Sequence, residues 1–326
     1  MSIQVVKPGM AATLQGAVRT GYRHAGIGGG GAMDSFAMQA ANYMVANTAD
    51  AAVIEINFPA PELLFLENAL ICITGADFSP YVNDQPVKSW RVLFIKKNSI
   101  LQFRKPVTGA RTYIAVSGGW KAESWLNSFS THLKANAGGF QGRALQKDDI
   151  IEYNKPLFES GETKIFPWYI ADDELEKIYH PATIIHCIKS IEWDWLDASS
   201  KKKFENTSFT LSDQSDRMGY RLNGLCLSKV SDIELLSSAT GMGTIQLLPD
   251  GNCIILMADH QTTGGYPRIA SVIKADLPKT AQLKPGNEFH FKLISLEEAE
   301  QEWLKQQKIL REIQMACDFN FKNILQ

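Results

Sequence analysis

Short apolar segments separated by turn-forming residues dominate the chain, and this alternation is typical of a β-rich protein. Gly, Pro, Asn and Asp are frequent between the apolar segments. In the stretch YVNDQPV, Asn83 and Asp84 stand between two strand-like ends and predict a tight hairpin. The predicted strands cover residues 53–58, 62–66, 70–76, 92–98, 100–104, 112–119, 209–212, 243–248, 252–259 and 288–295.

Helical spacing of apolar residues occurs near the start and near the end of the chain. Residues 34–46 show it with Asp34 or Ser35 as the expected cap. Residues 295–313 show it again and open with a Ser-x-x-Glu capping box. We therefore predict a mainly β fold with a few helices, including a C-terminal helix.

Three short patterns occur twice, in the same order, in the two halves of the chain. They are R-x-G-Y-R, a Gly-Gly-aromatic step and a closing L-x-x-x-[DN]-x-[IF]-x-[YF] motif, at 19–23 and 217–221, 138–140 and 264–266, and 145–153 and 283–291. Two related β domains explain this order, and chance similarity among β turns is the alternative. We predict domains at residues 1–165 and 166–326, because strand signals lapse between them and Pro, Gly and charges concentrate there.

Composition narrows the function classes. A chain of 326 residues exceeds the usual size of one domain, and 45% hydrophobic with 21% charged residues is typical of a folded soluble protein. The 33 basic and 35 acidic residues leave a net charge of −2, which argues against nucleic acid or an anionic membrane as partner. The sequence shows no signal peptide and no long apolar run, so we expect a cytoplasmic protein. The five cysteines lie far apart and mostly within apolar runs, which indicates reduced thiols and no metal site.

A glycine loop at residues 26–31 matches G-x-G-x-x-G. The segment before it is polar rather than an apolar strand, and the residues after it are Ala-Met-Asp rather than Lys and Ser or Thr. Both features argue against a dinucleotide fold or a Walker loop. The loop could face an anion together with the adjacent Arg23 and His24. It could equally be a turn that lets the chain pass close to a neighbouring sheet.

The densest polar stretch follows an apolar strand and runs from Asp259 to Tyr266. Such strand-end loops often carry functional groups. Thr262 and Thr263 could donate to a carbonyl or phosphoryl oxygen, and the glycines after them would let a ligand approach the backbone. A polar loop that satisfies only its own turn is the alternative. The stretch also contains His260, Gln261, Gly264 and Gly265.

A second polar stretch covers residues 212–222 and places two arginines and two aspartates around a Gly-Tyr step. The guanidinium fork of Arg217 or Arg221 suits a carboxylate or a phosphate. The alternative is an internal ion pair in which Asp216 and an arginine hold the turn.

Residues 13–47, 215–222 and 250–287 together resemble the KipA family, whose domain is also named biotin-dependent carboxyltransferase or allophanate hydrolase subunit 2. The resemblance implies two cyclophilin-like β-barrel domains. It also implies one subunit of an ATP-dependent enzyme that opens a lactam or amide, such as the hydrolysis of 5-oxoproline to glutamate with ADP and phosphate. The expected partners are the other two subunits of that enzyme, one KipI-like and one LamB/YcsF-like, with ATP and Mg in the assembled complex. Other members regulate a KipI-type kinase inhibitor or transfer carboxyl groups, and these functions stay open.

The resemblance also suggests roles for the polar residues. Candidate acid–base groups are Asp216, Glu55 and Asp259, and candidate oxyanion donors are Thr262 and Thr263. Candidate substrate-binding residues are Arg217, Tyr220, Arg221, Arg23, His24, Gln261, Gly264, Gly265 and Tyr266. The glycines at 28–31 and the Asn-Ser-Phe-Ser-Thr stretch at 127–131 depart from the family pattern, so the N-terminal half supports a site less strongly.

Overall fold

The computed structural model describes residues 1–155, 164–231 and 234–325. The chain divides into two compact units, one of residues 1–19, 30–172 and 308–326 and the other of residues 20–29 and 173–307. Both are rich in strands, so the mainly β prediction is confirmed. The predicted single division between residues 165 and 166 lies beside residues outside the described ranges and stays a prediction.

The first unit contains two six-stranded sheets, both wholly antiparallel, with strand orders β11-β1-β4-β9-β6-β7 and β12-β8-β5-β10-β3-β2. Its elements are β1 Ser2–Lys7, β2 Ala12–Gln15, α1 Ser35–Met44, β3 Val53–Asn57, β4 Glu62–Phe65, β5 Ala69–Asp77, β6 Pro80–Val82, β7 Gln85–Pro86, β8 Arg91–Ile95, β9 Ile100–Phe103, β10 Thr108–Val116, β11 Ile150–Glu152 and β12 Lys164–Tyr169.

The predicted features of this unit form as local chemistry dictates. Asn83 and Asp84 adopt positive φ values of 47° and 63° between β6 and β7, as a two-residue hairpin turn requires. Helix α1 is capped by Asp34, whose side chain accepts a hydrogen bond of 2.9 Å from the backbone N–H of Ala37. Its apolar residues pack on β5 and β10, where Thr74 donates to the Ala37 carbonyl. The hairpin and the first helix are therefore confirmed.

The second unit contains a closed seven-stranded barrel with strand order β13-β20-β17-β18-β15-β14-β21 and a separate two-stranded ribbon of β16 and β19. Aromatic rings of Phe204, Phe209, Phe289 and Phe291 pack against one another in its core. The remaining elements of the chain are α2 Asp172–Tyr179, β13 Ile184–Lys189, α3 Ala198–Asn206, β14 Phe209–Leu211, β15 Gly219–Asn223, β16 Ser238–Ala239, β17 Thr244–Leu247, β18 Cys253–Leu256, β19 Thr263–Gly264, β20 Arg268–Val272, α4 Leu277–Ala281, β21 Glu288–Leu293 and α5 Leu296–Leu325.

Helix α5 begins where the sequence predicts and ends later. Ser295 and Glu298 form the expected reciprocal capping box, with side chain to backbone distances of 2.8 and 3.1 Å. The helix continues beyond the predicted end at residue 313 because apolar residues still recur at helical spacing, and Cys317 and Phe321 are buried. Within the described part of the chain, no helix is both long and apolar enough to cross a membrane.

The paired sequence patterns do not always take the same structure. The second R-x-G-Y-R copy runs into β15, whereas the first leads into a short 3-10 turn, Arg23–Ala25. The closing motifs do both contain a strand, β11 in one copy and β21 in the other. The two copies therefore agree in secondary structure at the closing motifs and differ at R-x-G-Y-R.

Candidate functional site

A pocket of about 540 Å³ lies on the outer face of the seven-stranded barrel. Side chains alternate along β15, so Tyr220 and Leu222 are buried inside the barrel while Gly219 and Arg221 face the pocket. Strands β17 and β18 complete the floor. The lining residues are Gln214, Asp216, Met218, Gly219, Arg221, Gln246, Leu248, Pro249, Asp250, Ile254, Leu256, Gln261 and Tyr266.

Three outward-facing residues form one row across the floor. Arg221 of β15 lies directly opposite Ile254 of β18, and Gln246 of β17 lies opposite the same Ile254 from the other side. Directly opposite residues of antiparallel strands share a face. Since neighbouring strands are about 4.8 Å apart, roughly 10 Å separates the backbones that carry Arg221 and Gln246. Across the three strands, the row therefore presents a cation, then an apolar side chain, then an amide.

Arg221 is exposed and offers an open guanidinium group. Its side chain makes no hydrogen bond or ion pair within residues 1–155, 164–231 and 234–325, although its charge helps lower the pKa of Asp250, whose main cause is the hydrogen bond from Asn252. A guanidinium fork with all donors available suits a carboxylate or phosphate. Arg221 thus provides a positively charged group at one end of the pocket.

Asp216 lies at the pocket, and its carboxylate shapes the turn before β15. One carboxylate oxygen accepts hydrogen bonds of 2.8 and 3.1 Å from the backbone N–H groups of Met218 and Gly219. Such a turn is typical of aspartate. The carboxylate is exposed in spite of these bonds. Its predicted acid–base role stays a prediction.

Arg217 and Asp259 pair with each other beside the pocket. The guanidinium Nε is 2.8 Å from Asp259 Oδ2, and Nη2 is 3.1 Å from Oδ1. The sequence left open an Asp216–arginine pair, and the structure pairs Arg217 with Asp259. Neither residue is among those that line the pocket. Their predicted roles in binding and acid–base chemistry stay predictions.

The strand-end loop contributes Gln261 and Tyr266 to the pocket wall. The two threonines of the loop do not line the pocket. Thr262 is buried, and Thr263 is exposed on β19, opposite Ala239 of β16. Thr240 holds this loop through a hydrogen bond of 2.6 Å from its hydroxyl to the Gln261 carbonyl. The pocket therefore gathers the amide and phenol of the predicted stretch, and its two hydroxyls are not lining residues.

Gln246 was not predicted from the sequence, although a signal existed. It is the polar residue of the apolar strand TIQL, and it is 1% exposed. A Cβ atom on Gly264 would lie 2.7 Å from Gln246 Nε2, so the glycine makes room for the amide. The neighbouring Gly265 borders Leu235 and Ser237 instead.

The family comparison adds to this geometry. Residues 25–293 match the model of the carboxyltransferase domain, subdomains A and B. The chain belongs to the carboxyltransferase domain family. The resemblance stated from the sequence is thereby confirmed.

Individual relatives of this carboxyltransferase-family chain come from bacteria and yeast. The C subunit of 5-oxoprolinase from Haemophilus influenzae is 35% identical over 307 residues, which cover 94% of this chain and 96% of the relative. The protein of the same name from Escherichia coli is 36% identical over 298 residues, 91% and 93% of the two chains. The crystal structure of K. lactis urea amidolyase superposes with a TM-score of 0.88 at 26% identity, covering 96% of this chain and 20% of that protein.

Other predicted residues of the carboxyltransferase-family chain lie away from the pocket lining. Arg23 Nη2 is 3.5 Å from His260 Nε2, while His260 Nδ1 donates to the Met257 carbonyl at 2.7 Å. Burial lowers the pKa of His260, and the charge of Arg23 lowers it further, so the imidazole is neutral at pH 7. His24 is exposed in the 3-10 turn. A Cβ atom on Gly28 would lie 2.9 Å from the His260 carbonyl oxygen, which supports the close-passage explanation of the glycine loop.

The last two predicted residues are buried. Tyr220 donates its hydroxyl to the Ala281 carbonyl at 3.3 Å inside the second unit. Glu55 belongs to the first unit, where its carboxylate accepts a hydrogen bond of 2.8 Å from the Met33 N–H. Tyr113 is also buried, and burial raises its pKa, with the Glu55 charge as a further cause. The pocket thus brings together four predicted residues, Asp216, Arg221, Gln261 and Tyr266.

Proposed function

We propose that this chain is the C subunit of an ATP-dependent 5-oxoprolinase, which hydrolyses 5-oxoproline to L-glutamate as ATP is converted to ADP and phosphate. The observation that carries the proposal is the identity of 35–36% to two proteins named as the C subunit of 5-oxoprolinase, over more than nine-tenths of each chain. The name of these relatives describes one component of a multi-subunit enzyme. We expect the same of this chain, with a KipI-like protein and a LamB/YcsF-like protein as its partners.

The open guanidinium of Arg221 and the size of the pocket support the proposal. In our proposal the carboxylate of 5-oxoproline binds the open guanidinium of Arg221, and the ring methylenes pack on Ile254. Clefts of roughly 300–1,000 Å³ with an apolar lining and a few polar groups are the common form of small-molecule sites. The pocket volume of about 540 Å³ falls in that range. We therefore assign substrate binding to the outer face of the barrel.

The reaction explains why such an enzyme consumes ATP. Water adds to the lactam carbonyl carbon, the ring C–N bond breaks, and the nitrogen takes a proton to become the amino group of glutamate. Amide resonance makes the carbonyl a poor electrophile. Binding energy and ATP hydrolysis are the available sources of activation. Asp216 lines the pocket, so its acid–base role belongs to this proposal, whereas the roles predicted for Glu55, Asp259, Thr262 and Thr263 stay predictions outside it.

The glycine loop of this chain does not match a Walker-type phosphate loop. The glycine loop lacks the lysine and hydroxyl residues that hold phosphates and magnesium in a Walker loop, and part of it passes close to the carbonyl of His260. Within the described ranges, no three acidic, His or Cys side chains converge as metal ligands. We assign no step on this chain to the nucleotide, and our proposal places ATP and Mg in the assembled complex without choosing the subunit that holds them.

Reconstitution tests the proposal. Purified chain is incubated with 5-oxoproline and Mg-ATP, alone and with the KipI-like and LamB/YcsF-like candidates, and the release of glutamate and ADP is measured. We expect both products only from the three-protein mixture, in a ratio of about one to one, since one ATP is consumed per ring opened. A purified three-protein complex that leaves 5-oxoproline intact would reject the proposal.

Carboxyl transfer is a second candidate function, favoured by the superposition on urea amidolyase with a TM-score of 0.88. Biotin-dependent carboxylation of urea or another amide, without lactam opening, would identify it. A tight complex with the KipI-like protein and no turnover of any amide would instead indicate the regulatory function.

A further inference from the structure

Gln246 is a buried amide with unused hydrogen-bonding capacity inside the pocket. Its side chain is part of the pocket lining and the residue is 1% exposed. Within the described ranges its amide makes one hydrogen bond, a long one of 3.5 Å from Nε2 to the Tyr266 carbonyl. A side-chain amide can take part in four hydrogen bonds, and buried polar groups in folded proteins are rarely left without partners. The remaining donor and acceptor are therefore available to a ligand.

The surroundings keep this amide in place. A Cβ atom on Gly264 would lie 2.7 Å from Gln246 Nε2, so this glycine lies against the amide, and Gly264 itself pairs with Ser238 of β16. The carbonyl of Tyr266 fixes which end of the amide is nitrogen, since a carbonyl oxygen accepts only from a donor. The amide is thus held by one glycine and one carbonyl of the same loop.

We propose that Gln246 selects ligands with a cis amide, as in a lactam ring, by pairing with the amide edge. A carboxamide presents one donor and one acceptor side by side, and it pairs with an edge that offers the complementary acceptor and donor, as in the recognition of adenine by Gln or Asn. A lactam ring forces its N–H and C=O onto one edge. A trans amide places them on opposite edges, and a lactone has no N–H.

The row across the floor suits such a ligand. Arg221 and Gln246 oppose Ile254 from its two sides, so a carboxylate at one end and a cis amide at the other would bracket an apolar ring over Ile254. The inference rests on the proposed function for the assumption that this pocket is the substrate site. It adds the residue that distinguishes a lactam from other small carboxylates.

Three ligands with the same carboxylate separate the possibilities. Binding of 5-oxoproline, 5-oxotetrahydrofuran-2-carboxylate and N-acetylglycine to the full chain is measured by titration calorimetry. The second compound is the lactone and the third a trans amide. We expect the wild type to bind 5-oxoproline roughly 10- to 100-fold more tightly than either analogue, since a site built to pair with an N–H rejects a ligand that lacks it.

The decisive variant is Gln246→Met, which keeps the length of the side chain and removes its hydrogen bonds. We expect its preference for 5-oxoproline to fall to about threefold or less, because methionine cannot form the two hydrogen bonds with the lactam N–H and C=O. The matched control is Gln301→Met, an exposed glutamine on α5 outside the pocket, which should keep the wild-type preference. Thermal unfolding of each variant confirms that it is folded.

The outcomes also separate this inference from the proposed function. A preference retained in Gln246→Met, an equal affinity of the wild type for all three ligands, or no binding at millimolar concentration would each overturn the inference. If the three-protein mixture still turns over 5-oxoproline in those cases, the proposed function stands without it. If the ligand preference depends on Gln246 but the three-protein complex is inactive, the cis-amide site is supported and the proposed 5-oxoprolinase function is rejected.

Discussion

Arg217 and Asp259 join the two loops at the edge of the pocket through both their side chains and their backbones. Their side chains make two hydrogen bonds of 2.8 and 3.1 Å, and the Asp259 N–H donates to the Arg217 carbonyl at 2.8 Å. One loop precedes β15 and the other follows β18, which are neighbouring strands. The first loop carries Met218 and the second carries Gln261, both pocket residues. The pair therefore links the two sides of the pocket.

Breaking this pair should destabilise the chain, because the side chains are only 13% and 24% exposed. We expect Arg217→Gln and Asp259→Asn each to lower the free energy of unfolding by about 2 kcal/mol, and the double variant by clearly less than the sum. Urea denaturation measures all three. The control is the exposed pair Lys305–Glu302. The same comparison of single and double variants should give a coupling energy of about 0.5 kcal/mol or less for this pair. Additive losses at Arg217 and Asp259 would contradict the coupling.

Arg221 should matter for binding and little for stability, since its guanidinium has no partner in the described chain. On the proposed function, Arg221→Gln removes a charge-assisted contact with the substrate carboxylate and should weaken 5-oxoproline binding by roughly 10- to 100-fold. The free energy of unfolding should change by about 0.5 kcal/mol or less. Calorimetric titration and urea denaturation measure the two quantities.

The control for Arg221 is Arg311→Gln, an exposed arginine on α5 outside the pocket. It should bind 5-oxoproline like the wild type. Unchanged binding in Arg221→Gln would remove Arg221 from the site and leave the cationic end of the pocket without a role.

Much of the fold could be predicted because local patterns determine it. The hairpin at Asn83-Asp84, the cap of α1 at Asp34 and the capping box at Ser295 all form between residues a few positions apart. Their geometry depends on a few dihedral angles and one or two hydrogen bonds. Strand β15 was missed because its apolar residues are interrupted by glycine and arginine, whose outward positions become visible only in the barrel.

The candidate site was harder to predict because its residues meet through strand register. Arg221 was named from its motif, yet its place beside Ile254 and Gln246 depends on pairings between three strands. The prediction from sequence relied on stretches rich in polar residues. It therefore favoured Thr262 and Thr263, which do not line the pocket. It overlooked Gln246, because a lone polar residue in an apolar strand marks an unusual position but does not indicate which residues face it.

Gly264→Ala should impair lactam selection with little loss of stability. The new Cβ atom would lie 2.7 Å from Gln246 Nε2, the end of a flexible side chain, so the amide should move rather than the backbone. On the cis-amide proposal, the preference for 5-oxoproline over the lactone should fall roughly tenfold. The free energy of unfolding should drop by about 1 kcal/mol or less.

Gly241→Ala is the matched control for Gly264, since the nearest atom to its added Cβ would be Thr244 Oγ1 at 3.8 Å. Calorimetry with both ligands should give the wild-type preference. Equal ligand preference in Gly264→Ala and the wild type would show that the position of the Gln246 amide is unimportant.

His260 should make the stability of the chain depend on pH. Burial, and then the charge of Arg23, lower the pKa of its imidazole in the folded chain, whereas in the unfolded chain the pKa is about 6.5. Below about pH 6.5 the unfolded chain takes up a proton that the folded chain does not, so the free energy of unfolding falls as the pH decreases. The contribution of one such group is at most about 1.4 kcal/mol per pH unit. It is absent well above pH 6.5, where both states are neutral.

The His260→Asn variant isolates this contribution, because the amide N–H of asparagine can replace the Nδ1 donor to the Met257 carbonyl without titrating. Urea denaturation at several pH values between about 5 and 8 should show that wild type loses more stability than the variant as the pH falls. The exposed His290→Asn serves as the control and should follow the wild-type curve. Parallel curves for wild type and His260→Asn would mean that the imidazole is protonated equally in both states, and that burial beside Arg23 does not keep it neutral.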